Sequence, residues 1–199
     1  MHAALGGIAL LFGGIALVVK KGSSRHKKSG KVFFYSMLFS AISALVIASL
    51  PGHLNPFLFS IGLFSSYFIL SGYKALAFKE KEASLLTYKA LGVSILIIGT
   101  GMIAIPYLTT GKVNIVLLVF GVFSIIMGIG DLKQVSHPLI LRKKWLRIHL
   151  GKMTGGYISA VSAFCVVNQV FPGIWNWFLP GLMGGVFIFS QLKKRETNS

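Results

Sequence analysis

Five histidines and four carboxylates hold most of this chain's capacity for ligand and acid–base chemistry. Two histidines stand in matching surroundings. One stretch is Arg25-His26-Lys27-Lys28-Ser29-Gly30-Lys31, running on to Tyr35; the other is Arg147-Ile148-His149-Leu150-Gly151-Lys152, running on to Tyr157. Each sets Arg and His ahead of a Gly-Lys pair, then a tyrosine, then an apolar run. A neutral imidazole at such a doorway is a ligand for haem iron or zinc. Haem b would take His26 and His149 from facing helices at similar depth, with small residues beneath. Gly30 follows His26 by four residues and Gly156 follows His149 by seven, so each glycine shares its histidine's helical face. Met153 lies between and could pack against a ring. Another metal, zinc in particular, would want a third ligand beside His26 and His149, and Asp131 is the available oxygen. The plain alternative is a set of interfacial histidines without a ligand.

His2 and His53 form a second, outer candidate pair. His137 precedes Pro138 in a loop, and no specific role is expected of it. Among the acids, Glu80 and Glu82 sit between lysines and read as a solvated face, and Glu196 lies in the tail. Asp131 differs because it ends an apolar run, where an acid needs a partner or water. Lys133 is the simple partner and His149 the chemically interesting one. No span carries an acid at its midpoint, which argues against a proton relay built on a buried carboxylate. No Gly-x-Ser-x-Gly elbow, phosphate-cradling loop or His-Glu-x-x-His pair occurs, so hydrolase and kinase chemistry have no footing. Cys165 is the lone cysteine and reads as a small buried hydrophobe.

The elements that must position these residues are apolar. The 199 residues are 54% hydrophobic and 12% charged, where a soluble domain has roughly 25% charged residues. A span of the hydrocarbon core takes about 20 mostly apolar residues. Seven runs qualify, approximately 2–19, 32–50, 55–73, 88–108, 113–131, 149–171 and 174–192. The first is short, and the seventh is broken by Pro180 and Gly181. Backbone groups in lipid must pair within a segment, so the expected fold is all-α, a transmembrane bundle. It forms one domain, 1–192, with a basic tail, 193–199.

The connections alternate in charge. Every Lys and Arg except Lys112 falls on one side of the seven runs. By the positive-inside rule that side is cytoplasmic, the N-terminus is outside and the C-terminus inside. The net charge of +16 follows from these clusters. No basic stripe interleaved with exposed aromatics marks a nucleic-acid surface. The expected surroundings are the lipid bilayer of the cell membrane, crossed several times, with a homo-oligomer as a further expectation.

Small residues recur at helical spacing: Gly92, Gly99 and Gly101, then Gly121, Gly128 and Gly130, then Gly181, Gly184 and Gly185. They are expected to let helix backbones approach closely; the rival reading is a lined cavity. Ser40-Ala41-Ile42-Ser43-Ala44 and Ser159-Ala160-Val161-Ser162-Ala163 hint at a three-plus-one-plus-three parallel repeat. That is the plan of some small-solute transporters, and a transporter or channel is the alternative to a redox protein. A non-enzymatic assembly partner, held by the glycine seams, is the third reading.

Three stretches resemble a family of bacterial polytopic membrane proteins of unassigned function. They are His2-Ala3-Ala4-Leu5-Gly6-Gly7, the run from Arg25 to Val32, and the run from His149 through Phe164. The resemblance implies a polytopic membrane fold and no activity. The His26-x-x-x-Gly30 element also resembles the ligand helices of the cytochrome b561 group, which carry haem b near each membrane face and pass electrons across. That likeness implies haem b at His26; His149, with Gly151 and Gly155, departs from its register.

Overall fold

The computed structural model describes residues 1–80 and 84–196. Lys81 and Glu82, with the solvated role expected of the acid, lie outside the described residues, as does the end of the tail, 197–199. Among the described residues there are eight α-helices: α1 (His2–Val18), α2 (Ser24–Ser49), α3 (Pro56–Lys74), α4 (Leu86–Thr110), α5 (Ile115–Val135), α6 (Pro138–Lys143), α7 (Trp145–Asn168) and α8 (Trp175–Glu196). A short 3-10 turn, Ala75–Lys79, extends α3. No strand occurs among the described residues.

Helix ends are set by local chemistry rather than by where apolar residues stop. Ser23 accepts a bond from the His26 backbone N–H at 3.2 Å and so starts α2 ahead of the basic run. Asn55 caps α3 by accepting from Leu58, with Pro56 in the first turn. Asn114 caps α5 in the same way through Leu117. At the far end of α4, Gly111 takes the left-handed conformation, φ 67°, that ends a helix without a Cβ clash. The stretches 24–31 and 145–148, expected as connections, are therefore helical. His26 consequently lies in the first turn of α2 and His149 at the start of the second turn of α7.

Neighbours in sequence pack as hairpins, α1 on α2, α2 on α3, α3 on α4 and α4 on α5, while α7 returns to pack on α3 and α1. One apolar core lies among α1, α2, α3 and α7, centred on Phe33, Phe34, Met37 and Ile69. A second lies among α3, α4 and α5, around Phe64, Tyr67, Phe68 and Ile95. A third closes one end, where Phe78, Tyr88, Leu141 and Ile148 meet. The last helix, α8, packs mainly on α7.

The α4–α5 contact is the tightest. A Cβ built on Gly99 would sit 2.8 Å from the Gly121 carbonyl, and one on Gly121 would sit 2.8 Å from the Gly99 carbonyl. Two turns further on, a Cβ on Gly128 would meet the Gly92 carbonyl at 2.9 Å. The small residues serve the close backbone approach that their spacing implied.

Among the described residues, five helices are long and apolar enough to cross a membrane: α2, α3 with its 3-10 extension, α4, α5 and α7. Their outward residues fit that setting. Phe39, Ile97, Ile126 and Val167 are exposed, among many others, where a soluble protein of this size would show a mixed polar surface. α1 is apolar but has only 17 residues.

Candidate functional site

Asp131, near the end of α5, is the most deeply buried acid among the described residues, 2% exposed. It does not pair with Lys133, which is exposed, nor with His149. Its partner is Lys152 of α7, 6% exposed, with Nζ 2.8 Å from Oδ2. Two tyrosines complete the shell. Tyr67 of α3 donates its hydroxyl to Asp131 Oδ2 at 2.5 Å, and Tyr88 of α4 donates to Oδ1 at 2.8 Å. Lys152 also donates to the Tyr67 hydroxyl and lies 4.2 Å from the centre of that ring. The carboxylate thus accepts three hydrogen bonds from three other helices. A buried ion pair persists only when its remaining polar capacity is filled in this way.

Glycines bring α7 close enough for this. Gly72 of α3 faces the backbone at Met153 and the Lys152 Cβ, each 3.0 Å from where its own Cβ would stand. One turn along α7, Gly155 and Gly156 receive Phe68 and Ile69 of α3. With the backbones pressed together at both levels, Lys152 turns toward Tyr67 and Asp131. This cluster was missed in the sequence because Lys152 reads as one more doorway cation. Two signals were available. Lys152 lies two turns inside a helix that begins at Trp145, and Tyr67 lies within an apolar run, where a hydroxyl needs a partner.

The doorway histidines are held differently. His26 Nδ1 lies 3.0 Å from the Ala16 carbonyl oxygen. His149 Nδ1 lies 2.8 Å from the Gly72 carbonyl oxygen. The Ala16 carbonyl lies in the last turn of α1, where it also accepts from Lys21 Nζ at 3.0 Å, and the Gly72 carbonyl lies where α3 passes into its 3-10 extension. Nδ1 must donate in each bond, so in the neutral ring Nε2 keeps the lone pair. The two imidazoles stand at the same end of the bundle, one near the start of α2 and the other near the start of α7.

Other expected features are arranged otherwise. Asp131 is engaged by Lys152 and the two tyrosines, and among the described residues no three His, Cys, Asp or Glu side chains gather as a metal site would require. Asp131 is thus not a third ligand beside His26 and His149. Gly156 offers no room to a porphyrin, because the Ile69 side chain fills the space where a Cβ would stand. Gly30 does open onto free space. Met153 packs against the first core. In the outer pair, His2 Nδ1 lies 2.9 Å from the Ser40 carbonyl oxygen, whereas His53 is exposed in the turn between α2 and α3. His137 is exposed at the start of α6, and Cys165 is buried.

A cleft of about 1150 Å³ borders the ion pair. It lies between α5 on one side and α7 with α8 on the other, and its walls are mostly apolar. The fold and the cluster together define a class, an all-helical chain of membrane-crossing character with a polar lock between its helices. Beyond that class, no protein-family model, curated protein or solved structure matches the chain.

Proposed function

We propose that the protein is a seven-span component of the cell membrane, N-terminus outside, and that His26 and His149 form a bis-imidazole site for haem b at its cytoplasmic face. The observation that carries this reading is the matched tethering of the two rings. Each donates Nδ1–H to an end-of-helix carbonyl, the arrangement that orients a ligating histidine and makes its Nε2 more basic. The donor set also favours this reading over zinc: two neutral nitrogens with no third protein ligand suit an iron whose other ligands come from a porphyrin. When bound, haem b supplies one-electron redox chemistry.

The chain's own contribution is orientation and surroundings. Ala16 and Gly72 fix the ring planes, and Gly30 leaves space beside α2. Lys79, held over the Trp145 ring at 4.2 Å, places positive charge near His149, where it would meet an acidic edge of the group. Counting α1 and α8 as spans gives the odd number that the charge distribution requires, with α1 short and α8 running on through Pro180. The solute-carrier reading draws less support, since the bordering cleft is apolar along most of its length.

The test is the absorption spectrum and iron content of protein purified after expression with ample haem. The expected result is a Soret band that shifts on reduction and is lost in both His26→Ala and His149→Ala, while His53→Ala retains it. A colourless wild-type protein, or one whose band survives both substitutions, ends the proposal.

A further inference from the structure

The cleft beside the ion pair brings a polar donor and aromatic rings to one place. Lys152 and Asp131 both line it, and so do Phe68 of α3 and Phe123 of α5. The Phe68 and Phe123 rings are 27° from parallel, with centres 6.4 Å apart. Lys152 Nζ lies 5.8 Å from the centre of the Phe68 ring. An ammonium has three N–H donors. The Tyr67 hydroxyl takes one and Asp131 Oδ2 takes a second. The third has no acceptor among the described residues.

The charge of this wall limits what can sit against it. Asp131 already balances Lys152. An anionic head would meet the carboxylate as well as the ammonium, and a cationic one would meet the ammonium as well as the carboxylate. A neutral oxygen acceptor avoids both repulsions and satisfies a buried donor that would otherwise stay unpaired. Beyond this point the cleft is apolar. From Lys152 to Ser162 the α7 wall runs about 15 Å at 1.5 Å per residue, and Ile158 and Leu182 line that length. Gly181 and Gly185 of α8 leave it open, since a Cβ on either would meet nothing within 4 Å. Trp177 closes the far end, packed edge-on against Phe57 and Phe120. The volume of about 1150 Å³ exceeds the roughly 300–1,000 Å³ of a pocket for a drug-sized molecule, so a ring and part of a long tail fit together.

We propose that this cleft binds a membrane quinone, its flat ring against Phe68 and Phe123, one carbonyl oxygen accepting from Lys152, and its apolar tail laid along α7 toward Trp177. A saturated acyl chain would match the length alone and leave the Lys152 donor unmet. Neither His26 nor His149 lines the cleft, so this binding is independent of haem b and is measured on protein with or without it.

The probe is ubiquinone with a ten-carbon tail, titrated into the full chain in phosphatidylcholine nanodiscs. Uptake should saturate at one quinone per chain, against the linear uptake of empty nanodiscs. Decylbenzene keeps a ring and a tail but has no carbonyl. It should bind about tenfold more weakly or worse, the factor expected of a hydrogen bond from a charged donor. Asp131→Asn/Lys152→Met, which removes both charges together, should abolish that preference. In wild type, carbon-13 at the quinone carbonyls should reveal by infrared difference spectroscopy a stretch moved to lower frequency on binding. Uptake that never saturates, equal affinity for decylbenzene, a preference that survives the double substitution, or an unshifted carbonyl overturns the proposal. A thermal melt shows whether the double variant is folded. Should it not fold, the infrared shift and the decylbenzene comparison decide the matter on wild type alone.

Discussion

Asp131 and Lys152 illustrate how a few polar atoms constrain an apolar bundle. Removing one partner strands the other charge in a dry site, which typically costs 3–5 kcal/mol, whereas replacing both by uncharged groups is far milder. Lys152→Met should therefore destabilise the protein by about 3 kcal/mol or more, and Asp131→Asn/Lys152→Met should recover much of that loss. Thermal unfolding in one detergent, taken through the full double-mutant cycle, measures it; simple additivity would contradict the coupling. That Asp131 needed a partner was legible in the sequence. Which partner was not, because Lys133 is near in sequence while Lys152 is near only after α7 has folded back onto α3. The histidines were legible as a pair on the same end of the bundle. Their tethers to Ala16 and Gly72 were not, since carbonyls at helix ends leave no mark on residue types.

At the level of helices, hydropathy located the five helices long and apolar enough to cross a membrane but misplaced several boundaries. Apolar residues report what faces lipid, whereas capping and hydrogen bonding decide where a helix begins. α2 begins at Ser24, not at residue 32, because Ser23 can cap it and because charged residues are compatible with a first turn lying at the membrane edge. The hydropathy pattern also gave no sign of α6, a single short helix in the basic connection. Glycine spacing was more informative, since contact between α4 and α5 needs hydrogen where a methyl group would strike a carbonyl. Gly121→Ala should cost about 1–3 kcal/mol by overpacking that seam. Gly7→Ala, where a Cβ meets nothing within 4 Å, should be neutral or stabilise by up to about 1 kcal/mol through helix propensity. Unfolding curves for the two variants should move in opposite directions, or the second should not move at all; a shared loss would mean that the seam is not special.

Across the molecule, the proposed direction rests on the arrangement of cations. Every Lys and Arg except Lys112 is expected on one side of the bilayer, and the structure places Ala16, His26, Gly72 and His149 at one common end. Reporter tags on the two termini should accordingly read opposite compartments, the N-terminal one outside. Two tags in the same compartment would mean an even number of crossings and would remove either α1 or α8 from the membrane.

The position of α8 has a consequence for how the protein is made. The helices that supply the carboxylate, the ammonium and both phenols are α5, α7, α3 and α4, and all four precede α8 in order of synthesis. A nascent chain can close its internal ion pair while α8 is still inside the ribosome, so the bundle need not wait for α8 before its charges are safely out of lipid.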